Sequence, residues 1–381
     1  MAIRIAVHES IESLATSWTA FEATAAGTAY QTHLWCLAWQ DTIGRAKRVR
    51  PRIVVGTHAD GTTAFLLPLQ ISRQFGLRTL EWLAISQGGY GYGLFEPSFL
   101  KSAPDWFTLH WPAVVAACGP VDVIDLANMP LTQHGHAHPL SAWFNSRCPD
   151  DSFVLDLAAD YDRLYTARRS GDTRRHNRKR DAALTKAGQV SFGLPKQVAD
   201  KHRVLSTRFL HQESRLAESG VRGIFGAAER AFLHRIADLE RVESPLLLPY
   251  CLEIDGNIQS VMLGAQFGGT YYALISSLAD TALRKYSPGD FALRRTLEAC
   301  CAAGLHQFDF STGTSAYKLA WADGRIDLHC ITMAVTVRGM MAAAGRYGYT
   351  RLKRWAKQSE PVRASFFSLR RFSLRPAAVF S

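Results

Sequence analysis

The feature that most constrains the fold of this 381-residue chain is a pattern of strands and turns that occurs twice. Each copy has two strands joined by an Asp-Gly turn and a third strand after a Gly-containing turn, which predicts a three-stranded antiparallel meander. The predicted strands are 52–57, 62–72 and 77–85 in the first copy, and 249–254, 257–267 and 270–278 in the second. The repetition indicates two similar domains, as does a length above the roughly 250–300 residues at which single cores stop growing.

Each meander is followed by a predicted helix, a glycine and a short apolar strand that ends near an aspartate. The helices are 103–118 and 291–303, and the strands are 121–126 and 307–311. A helical crossover into a neighbouring parallel strand makes the sheet mixed, so the predicted fold class is α+β with two tandem domains, each a largely antiparallel sheet flanked by helices. We expect an N-terminal domain at 1–155, a second domain at 156–337 and a basic helical tail at 338–381. The two copies differ in spacing, so duplication remains an inference.

The net charge of +11 is concentrated in two segments of the chain. Residues 162–186 carry a net charge of +6 within a helical stretch predicted at 161–187, which Ser170-Gly171 interrupts. Residues 338–381 carry +9 and combine basic side chains with Tyr, Leu and Trp. Such a tail suits an anionic membrane surface, so we expect peripheral association with the inner membrane.

The cysteines and the apolar runs indicate a soluble cytoplasmic protein. Seven cysteines occur without a C-x-x-C pair, which favours neither a disulfide framework nor a zinc ribbon. No run approaches the roughly 18 apolar residues of a membrane-spanning helix. His134, His136 and His138 alternate without a nearby Cys or carboxylate, so we interpret them as a polar loop and expect no metal.

Several short motifs of the second half, from about 164 to 321, resemble one known family. The motifs are the basic run 174–180, Ser287-Pro288-Gly289, Phe308-Asp309-Phe310, and Gly313 followed by Tyr317-Lys318 and Trp321. They resemble the GNAT acetyltransferases of the CelD/BcsL group, associated with cellulose and exopolysaccharide synthesis and similar to the Fem-type tandem GNAT transferases. The first half resembles the group more loosely, through 33–39 and Pro68-Leu69. The family has acidic residues before the Tyr-Lys pair, where this chain has 314–316, Thr-Ser-Ala.

The resemblance implies that acetyl-CoA binds as acyl donor in a wedge between the strands 270–278 and 307–311. Ser287 is suited to cap the following helix, Pro288 to its first position, and Gly289 to a close approach of backbone to ligand. Free amides and the positive helix end attract a diphosphate, although the same three residues also suit an ordinary helix start. The remaining expected cofactor-binding residues are Ser276, Arg284, Lys285 and Asp290.

Acyl transfer needs a base for the acceptor, a donor for the oxyanion and a proton for the leaving thiolate. Asp309 at a strand end is the candidate base, Tyr317 the candidate proton donor, and Lys318 a group that polarises a carbonyl or binds an anion. A structural role in satisfying turn and helix-end backbone is an equal alternative for these three residues. His211 is a further candidate base, with a surface histidine as the alternative.

The expected acceptor site uses residues from both halves. We interpret the run 88–93, with Tyr90 and Tyr92, as a flexible aromatic wall of the acceptor cleft, and Arg175 and Arg178 as phosphate-binding or solvated residues. The predicted function is acetyl transfer from acetyl-CoA to an amine or hydroxyl of a sugar or polysaccharide precursor. The alternatives are a Fem-like transferase that uses aminoacyl-tRNA, with the basic helix gripping RNA, and a non-catalytic scaffold of a polysaccharide assembly complex.

Overall fold

The computed structural model describes residues 2–218 and 226–359, which form two mixed sheets with helices on their faces. The main strands are β1 (Arg4–His8), β2 (Arg50–Thr57), β3 (Thr63–Gln74), β4 (Leu77–Trp82), β5 (Val123–Pro130), β6 (Ser152–Asp156), β7 (Val190–Gly193), β8 (Leu247–Ile254), β9 (Asn257–Phe267), β10 (Thr270–Leu278), β11 (Gln307–Thr312), β12 (Gly324–Ile326) and β13 (Leu328–Ala334). The helices are α1 (Ala15–Glu22), α2 (His33–Trp39), α3 (Pro97–Ser102), α4 (Trp106–Ala117), α5 (Tyr161–Arg168), α6 (Gly171–Ala187), α7 (Val198–Glu218), α8 (Ala227–Leu239), α9 (Pro288–Ala302), α10 (Ala316–Trp321) and α11 (Gly339–Gln358).

The two sheets have the same plan, which confirms the predicted fold class. The first runs β1-β2-β3-β4-β5-β13 and ends at the short strand Ser146–Arg147. The second runs β7-β8-β9-β10-β11-β6-β12. In each sheet the meander is antiparallel, and the helical crossover that follows it produces the one parallel pair of that path, β4 with β5 and β10 with β11. The Asp255-Gly256 turn has φ of 49° and 74° at its two residues, as a tight hairpin between β8 and β9 requires.

The two sheets exchange one strand each, which the sequence patterns do not predict. Strand β13, from the C-terminal part of the chain, pairs antiparallel with β5 of the first sheet. Strand β6 precedes every other strand of the second sheet in the chain and pairs antiparallel with β11. The expected domain boundary at 155/156 therefore falls within β6, and the expected segment 156–337 contains a strand of the first sheet. The division of the chain into domains at these positions stays a prediction.

Three groups of buried side chains hold the two sheets and their helices together. One packs the first sheet against α3 and α4, with Trp106 and Trp111 buried, and another packs the second sheet against α9, with Leu293 and Leu297 buried. The third lies between the halves, where α1 and α2 meet α7, α8 and the opposite face of the second sheet. The halves are thus joined by a shared core as well as by exchanged strands.

A disulfide between Cys148 and Cys330 corrects the expectation that the cysteines form none. The two residues are 182 positions apart in sequence, and their Cα atoms lie 5.9 Å apart because β13 pairs with the strand Ser146–Arg147. Only the exchange of β13 into the first sheet brings these cysteines together, so their spacing in the sequence gave no sign of the bond. The other five cysteines are free and buried.

The C-terminal helix α11 confirms the helical part of the predicted tail as far as Gln358, and residues 360–381 lie outside the described part of the chain. Helix α11 packs on β13, β5 and the strand Ser146–Arg147. Within the described ranges, no helix has the length and apolarity needed to cross a bilayer.

Candidate functional site

The central feature of the candidate site is a gap in the second sheet, which confirms the expected wedge between β10 and β11. These strands pair in parallel at only three positions, from Thr270 opposite Gln307 to Tyr272 opposite Asp309. Beyond that point β10 continues to Leu278 along β9, and no described strand pairs with its other edge. A strand edge of this kind offers backbone N–H and C=O groups to an extended ligand.

Local backbone features explain why the two strands part there. The register between β9 and β10 shifts after Gly264 opposite Ala273, because Leu263 lies opposite Ile275 and one extra residue is accommodated in β10. Such a bulge bends a strand and increases its twist. On the other side of the gap, Ser311 has a left-handed φ of 61°, which turns the end of β11 away.

Helix α9 starts beside the gap with the Gly289 amide left for a ligand, because Pro288 has no N–H and the amides of Asp290 and Phe291 donate to Ser287 O at 3.1 and 3.2 Å. Ser287 is the residue before the helix and has a left-handed φ of 56°, so it caps by position and makes no side-chain capping bond. Pro288 occupies the first helical position, as expected from its missing N–H. A Cβ added to Gly289 would meet only Leu278 Cδ1, at 3.7 Å, so no side chain covers this turn. The helix start therefore has room for an anionic ligand near its N-terminal amides.

Several charged residues around this helix start form ion pairs with one another. Arg294 donates to Asp290 at 2.9 Å and to Asp181 of α6 at 2.6 and 2.9 Å. Asp290 is therefore neutralised rather than left to repel an anion at the helix end. Arg284 pairs with Asp280 at 2.8 Å, and the exposed Lys285 lies with its Nζ 5.0 Å from the ring centre of Tyr286.

The corresponding gap in the first sheet is filled by the chain itself. Strands β4 and β5 pair at only two positions, and the Gly91 amide then donates to Asn128 O at 3.0 Å. A Cβ on Gly91 would collide with Ala127 O and the Trp82 ring, so the glycines of this run serve close packing. This close packing does not fit the expected flexibility of the run, but Gly88 and Gly89 line the cavity described below, so a wall role for the run stays a prediction. Tyr92 is fully buried in the first core and does not face a cleft.

Tyr90, from the same glycine run, reaches across to the second sheet and donates a hydrogen bond to Asp309. The distance from Tyr90 Oη to Asp309 Oδ2 is 2.5 Å. Asp309 Oδ1 accepts from the Ser311 amide at 2.6 Å and from Ser152 Oγ at 3.2 Å. Burial raises the pKa of Asp309 to about 6, and the three donors limit that rise because they favour the carboxylate. Asp309 is thus a buried carboxylate that changes charge near neutral pH.

Three tyrosines surround this carboxylate. The ring centres of Tyr30, Tyr90 and Tyr272 lie 5.5 to 6.4 Å apart. Burial raises the pKa of Tyr30, and the charge of Asp309 raises it further. All three phenols therefore remain protonated at neutral pH: the Tyr90 hydroxyl donates to Asp309, and the hydroxyls of Tyr30 and Tyr272 have no hydrogen-bond partner among the described residues.

A cavity of about 250 Å³ opens next to the tyrosines, between the two halves of the chain. Its walls come from the first half, from α8 and from the strands that border the gap. They include Tyr30, Trp35, Gly89, Phe232, Leu274 and Ser311. The Trp35 Nε1–H is buried and has no hydrogen-bond partner among the described residues. The cavity has the mostly apolar lining with a few polar atoms that is typical of a small-molecule site.

Lys318 and Tyr317 of α10 lie at the end of β11 in different environments. Lys318 is buried, and its amine donates to Thr312 O at 2.8 Å and Ser311 O at 3.2 Å. Burial lowers the pKa of Lys318 to about 8. This amine satisfies backbone carbonyls of the turn that follows Asp309. That contact agrees with the alternative in which Lys318 has a structural rather than a catalytic role. Tyr317 is 43% exposed, and its ring approaches Phe310 edge-on.

His211 and Ser276 lie near the free part of β10. His211 of α7 is half-buried, with Nδ1 3.3 Å from Oγ of Ser277, and burial lowers its pKa. Ser276 is exposed on the same strand. The structure therefore places His211 beside β10, the strand that borders the gap, and the lowered pKa makes it a neutral imidazole at pH 7.

The basic helix α6 packs beside the turn Ala282–Tyr286 that leads into α9. Arg175 is exposed and lies 3.5 Å from Asp172, and Arg178 is exposed. These cations therefore border the region of the open helix start. Among the described residues no group of three or more His, Cys, Asp or Glu side chains is arranged to hold a metal ion.

Sequence reasoning missed Tyr30, Ser152 and Tyr272, and it considered Trp35 only as a residue for stacking on a glycan or for core packing. Tyr30 and Trp35 belong to the first half and join the site only through packing between the halves. Ser152 lies on the exchanged strand β6, 157 residues before its partner Asp309. No local motif marks any of these positions, although the aromatic helix 33–39 was noted for its resemblance to the family.

Comparisons with known proteins find a matching family for part of the second half of the chain. Residues 171–319 match the model of a family described as acetyltransferase (GNAT) domain. The chain thus carries a GNAT-type acetyltransferase domain, and the match includes β7 to β11, α9 and most of α10. The narrower CelD/BcsL assignment stays a prediction. No curated protein matches the sequence.

Solved structures extend the likeness to both halves of the chain, at the level of fold. The structure of FemX has a TM-score of 0.56 at 11% identity, over 86% of this chain and 97% of FemX. The C-terminal domain of a protein assigned as a lysylphosphatidylglycerol synthetase, from Agrobacterium fabrum, has a TM-score of 0.53 at 12% identity, over 88% and 96%. L-PGS from Bacillus licheniformis has a TM-score of 0.52 at 10% identity, over 87% and 96%.

Proposed function

We propose that this protein is an acyltransferase that moves an acyl group, most simply acetyl, from coenzyme A to an amine or hydroxyl of a sugar or polysaccharide precursor. The observation that carries the proposal is the gap between β10 and β11 with the uncovered start of α9 beside it. An extended thioester fits along the free edge of β10, with its diphosphate at the Gly289 amide and the positive end of α9. The GNAT match over residues 171–319 supports the same reading.

The reaction needs no covalent enzyme intermediate. The acceptor nitrogen or oxygen attacks the thioester carbonyl carbon, the carbonyl oxygen takes up negative charge, and the carbon–sulfur bond then breaks. The acceptor loses a proton, and the thiolate gains one. Tyr30 and Trp35 line the cavity, and the Tyr30 hydroxyl and the Trp35 Nε1–H are the proposed donors to the developing oxyanion, since neither has a hydrogen-bond partner among the described residues.

Asp309 is the proposed destination of the acceptor proton. Above pH of about 6 it is ionised, so it has capacity for a proton at neutral pH. Because its side chain is buried, the proton reaches it through a neighbouring hydroxyl, of which Tyr90 is hydrogen-bonded to it. The exposed Tyr317 remains the proposed proton donor for the thiolate.

Ligand binding and thiol release test the proposal in two stages. The first stage is a thermal-shift series with CoA, acetyl-CoA and longer acyl-CoAs, because a ligand at a hundred times its Kd stabilises the native state by about 2.7 kcal/mol. The second measures free thiol from acetyl-CoA in the presence of amino sugars or neutral sugars. We expect a rise in melting temperature followed by acceptor-dependent thiol release. Absence of any shift with all thioesters would remove the proposal.

A Fem-like transfer from aminoacyl-tRNA is the second candidate, favoured by the exposed cations of α6. Arg175, Arg178 and Lys179 are exposed on a helix next to the open start of α9. If they bind RNA, affinity for tRNA falls steeply with salt, with a slope set by the number of phosphates neutralised. Gel-shift assays at several salt concentrations measure this slope. Salt-dependent tRNA binding without any CoA effect would favour this candidate over the first.

A further inference from the structure

One face of helix α11 packs on the first sheet, and the opposite face is exposed to solvent. On the packed face Arg346 pairs with Asp125 at 2.6 Å, and Lys357 pairs with Asp150 at 2.5 Å. Ala343, one turn before Arg346, is buried. The helix is therefore anchored, and the direction of its outer face is fixed by these contacts.

The outer face of α11, together with Val337 two residues before the helix, is strongly apolar. Its large apolar side chains are more than half exposed. They are Val337 at 84%, Met340 at 59%, Met341 at 86%, Tyr349 at 64%, Leu352 at 61% and Trp355 at 58%. Single exposed apolar residues are ordinary, but six in and just before one helix mark an interaction surface.

Basic residues flank these apolar side chains on the solvent side. Arg338, Arg351 and Lys353 are exposed, and none is paired with a carboxylate among the described residues. The sequence from 338 to 359 contains no Asp or Glu. The cations that face the protein body are paired with its acids, so the charge left on the outer face is purely positive.

An exposed helix face that is both apolar and positively charged favours one kind of partner over the others. A second copy of the chain would bring the same positive surfaces together, which costs energy through repulsion. A nucleic acid complements the charge and leaves the apolar side chains exposed. An anionic bilayer complements both, because apolar side chains enter the interfacial region while Arg and Lys contact headgroups. The sequence that follows is also basic, with Arg363, Arg370, Arg371 and Arg375 against Glu360 in residues 360–381.

We propose that the outer face of α11 docks on the surface of an anionic lipid bilayer and holds the protein there peripherally. The inference is independent of the acyl-transfer proposal, since it uses neither the gap in the second sheet nor Asp309. Docking of this kind places the protein at a membrane surface. The outer face of α11 then contacts the lipid, and its packed face stays on the first sheet.

Vesicle sedimentation of the full chain tests this docking. We expect binding to vesicles of phosphatidylcholine with phosphatidylglycerol and much weaker binding to phosphatidylcholine alone. The double variant Leu352→Gln, Trp355→Gln should lower the partition coefficient at least about ten-fold, which corresponds to about 1.4 kcal/mol, because two apolar side chains no longer enter the interfacial region. Arg351→Gln and Lys353→Gln should each lower it about five-fold, which corresponds to about 1 kcal/mol per cation near the surface.

Matched controls separate docking from general effects of exposure and charge. Phe75→Gln removes an aromatic residue that is 94% exposed on the β3–β4 turn, and Lys101→Gln removes an exposed cation on α3. Both should bind vesicles like the parent protein, and melting temperatures of all variants should match it. Unchanged binding by the α11 variants, or equal binding to neutral vesicles, overturns the proposal. So does sedimentation-velocity evidence of a dimer that Leu352→Gln dissociates.

Discussion

Replacing Tyr90 with Phe removes one oxygen atom from the link between the two halves of the site. The Tyr90 hydroxyl donates to Asp309 at 2.5 Å, and it is one of three donors to that buried carboxylate. The ring of Tyr90 can stay where it is, packed beside Tyr30 and Tyr272. The substitution therefore isolates the effect of the hydrogen bond on the charge of Asp309.

The magnitude follows from the strength of a hydrogen bond to a charged group. Such bonds contribute about 1.5–3 kcal/mol, and one pKa unit corresponds to about 1.4 kcal/mol. The pKa of Asp309 should therefore rise from about 6 to roughly 7–8 in the variant. Because the native pKa lies above the unfolded value of 3.8, the native state binds the proton more tightly. The free energy of unfolding then falls as pH rises towards the native pKa, and in the variant this fall continues to a higher pH.

Urea denaturation between about pH 5 and about pH 9 measures this difference without any substrate. We expect Tyr90→Phe to be only mildly destabilising at the acid end, where Asp309 is protonated in both proteins. The destabilisation should grow by about 1.5–3 kcal/mol across the range from roughly pH 6 to pH 8. The added loss should disappear in an Asp309→Asn background, because the titrating group is then absent.

Tyr92→Phe is the matched control for this experiment. Its hydroxyl is also buried and lies two residues away, but it has no hydrogen-bond partner among the described residues. The variant should show the same pH dependence of stability as the parent protein. A destabilisation by Tyr90→Phe that does not change with pH, or an equal pH dependence in Tyr92→Phe, would refute the assigned link to Asp309.

Three further predictions concern the helix start, the buried lysine and the disulfide. Gly289→Asp should abolish the thermal shift with CoA while Gly289→Ala retains most of it, because the turn has room for a side chain but not for a second anion beside phosphate; equal shifts in both would contradict the site. The pKa of Lys318, lowered by burial to about 8 from 10.5, makes stability rise with pH between those values, and Lys318→Met should flatten that rise in urea denaturation. Reduction should lower the free energy of unfolding by about 2–5 kcal/mol. A Cys330→Ser variant should not respond, and full alkylation of Cys148 in the unreduced native protein would disprove the bond.

Local sequence signals predicted most of the elements of this fold. The Asp-Gly turns located the hairpins, Ser170 marked the start of α6 by capping Thr173 N, and Pro288 marked the start of α9. These signals act within a few residues of one another, so a single sequence contains them. The fold class followed from their order, and the gap beside β10 followed from the family resemblance.

Long-range features escaped prediction because nothing local encodes them. Strands β6 and β13 are short and find their partners across the chain, so neither was recognised and the exchange was not foreseen. The glycine run at 88–93 was interpreted as flexible because glycine is permissive, whereas it is needed here for lack of side-chain volume against Tyr30 and Trp82. The link from Tyr90 to Asp309 spans 219 residues.

The exchanged strands and the site have a common consequence for how this chain works. Strand β6 carries Ser152 to Asp309 and also completes the second sheet beside β11, while the loop with Tyr90 reaches Asp309 from the first half. The charge of Asp309 is therefore set by groups from both halves, and it takes its observed hydrogen bonds only when the shared core is assembled. In the first sheet the corresponding gap is closed by the chain around Gly91, so no ligand can enter there. The first half instead supplies the Tyr90 hydroxyl as a hydrogen-bond donor to Asp309 of the second sheet. A two-sheet chain with one open gap is the arrangement expected when the first of two similar domains has become a wall of the site in the second.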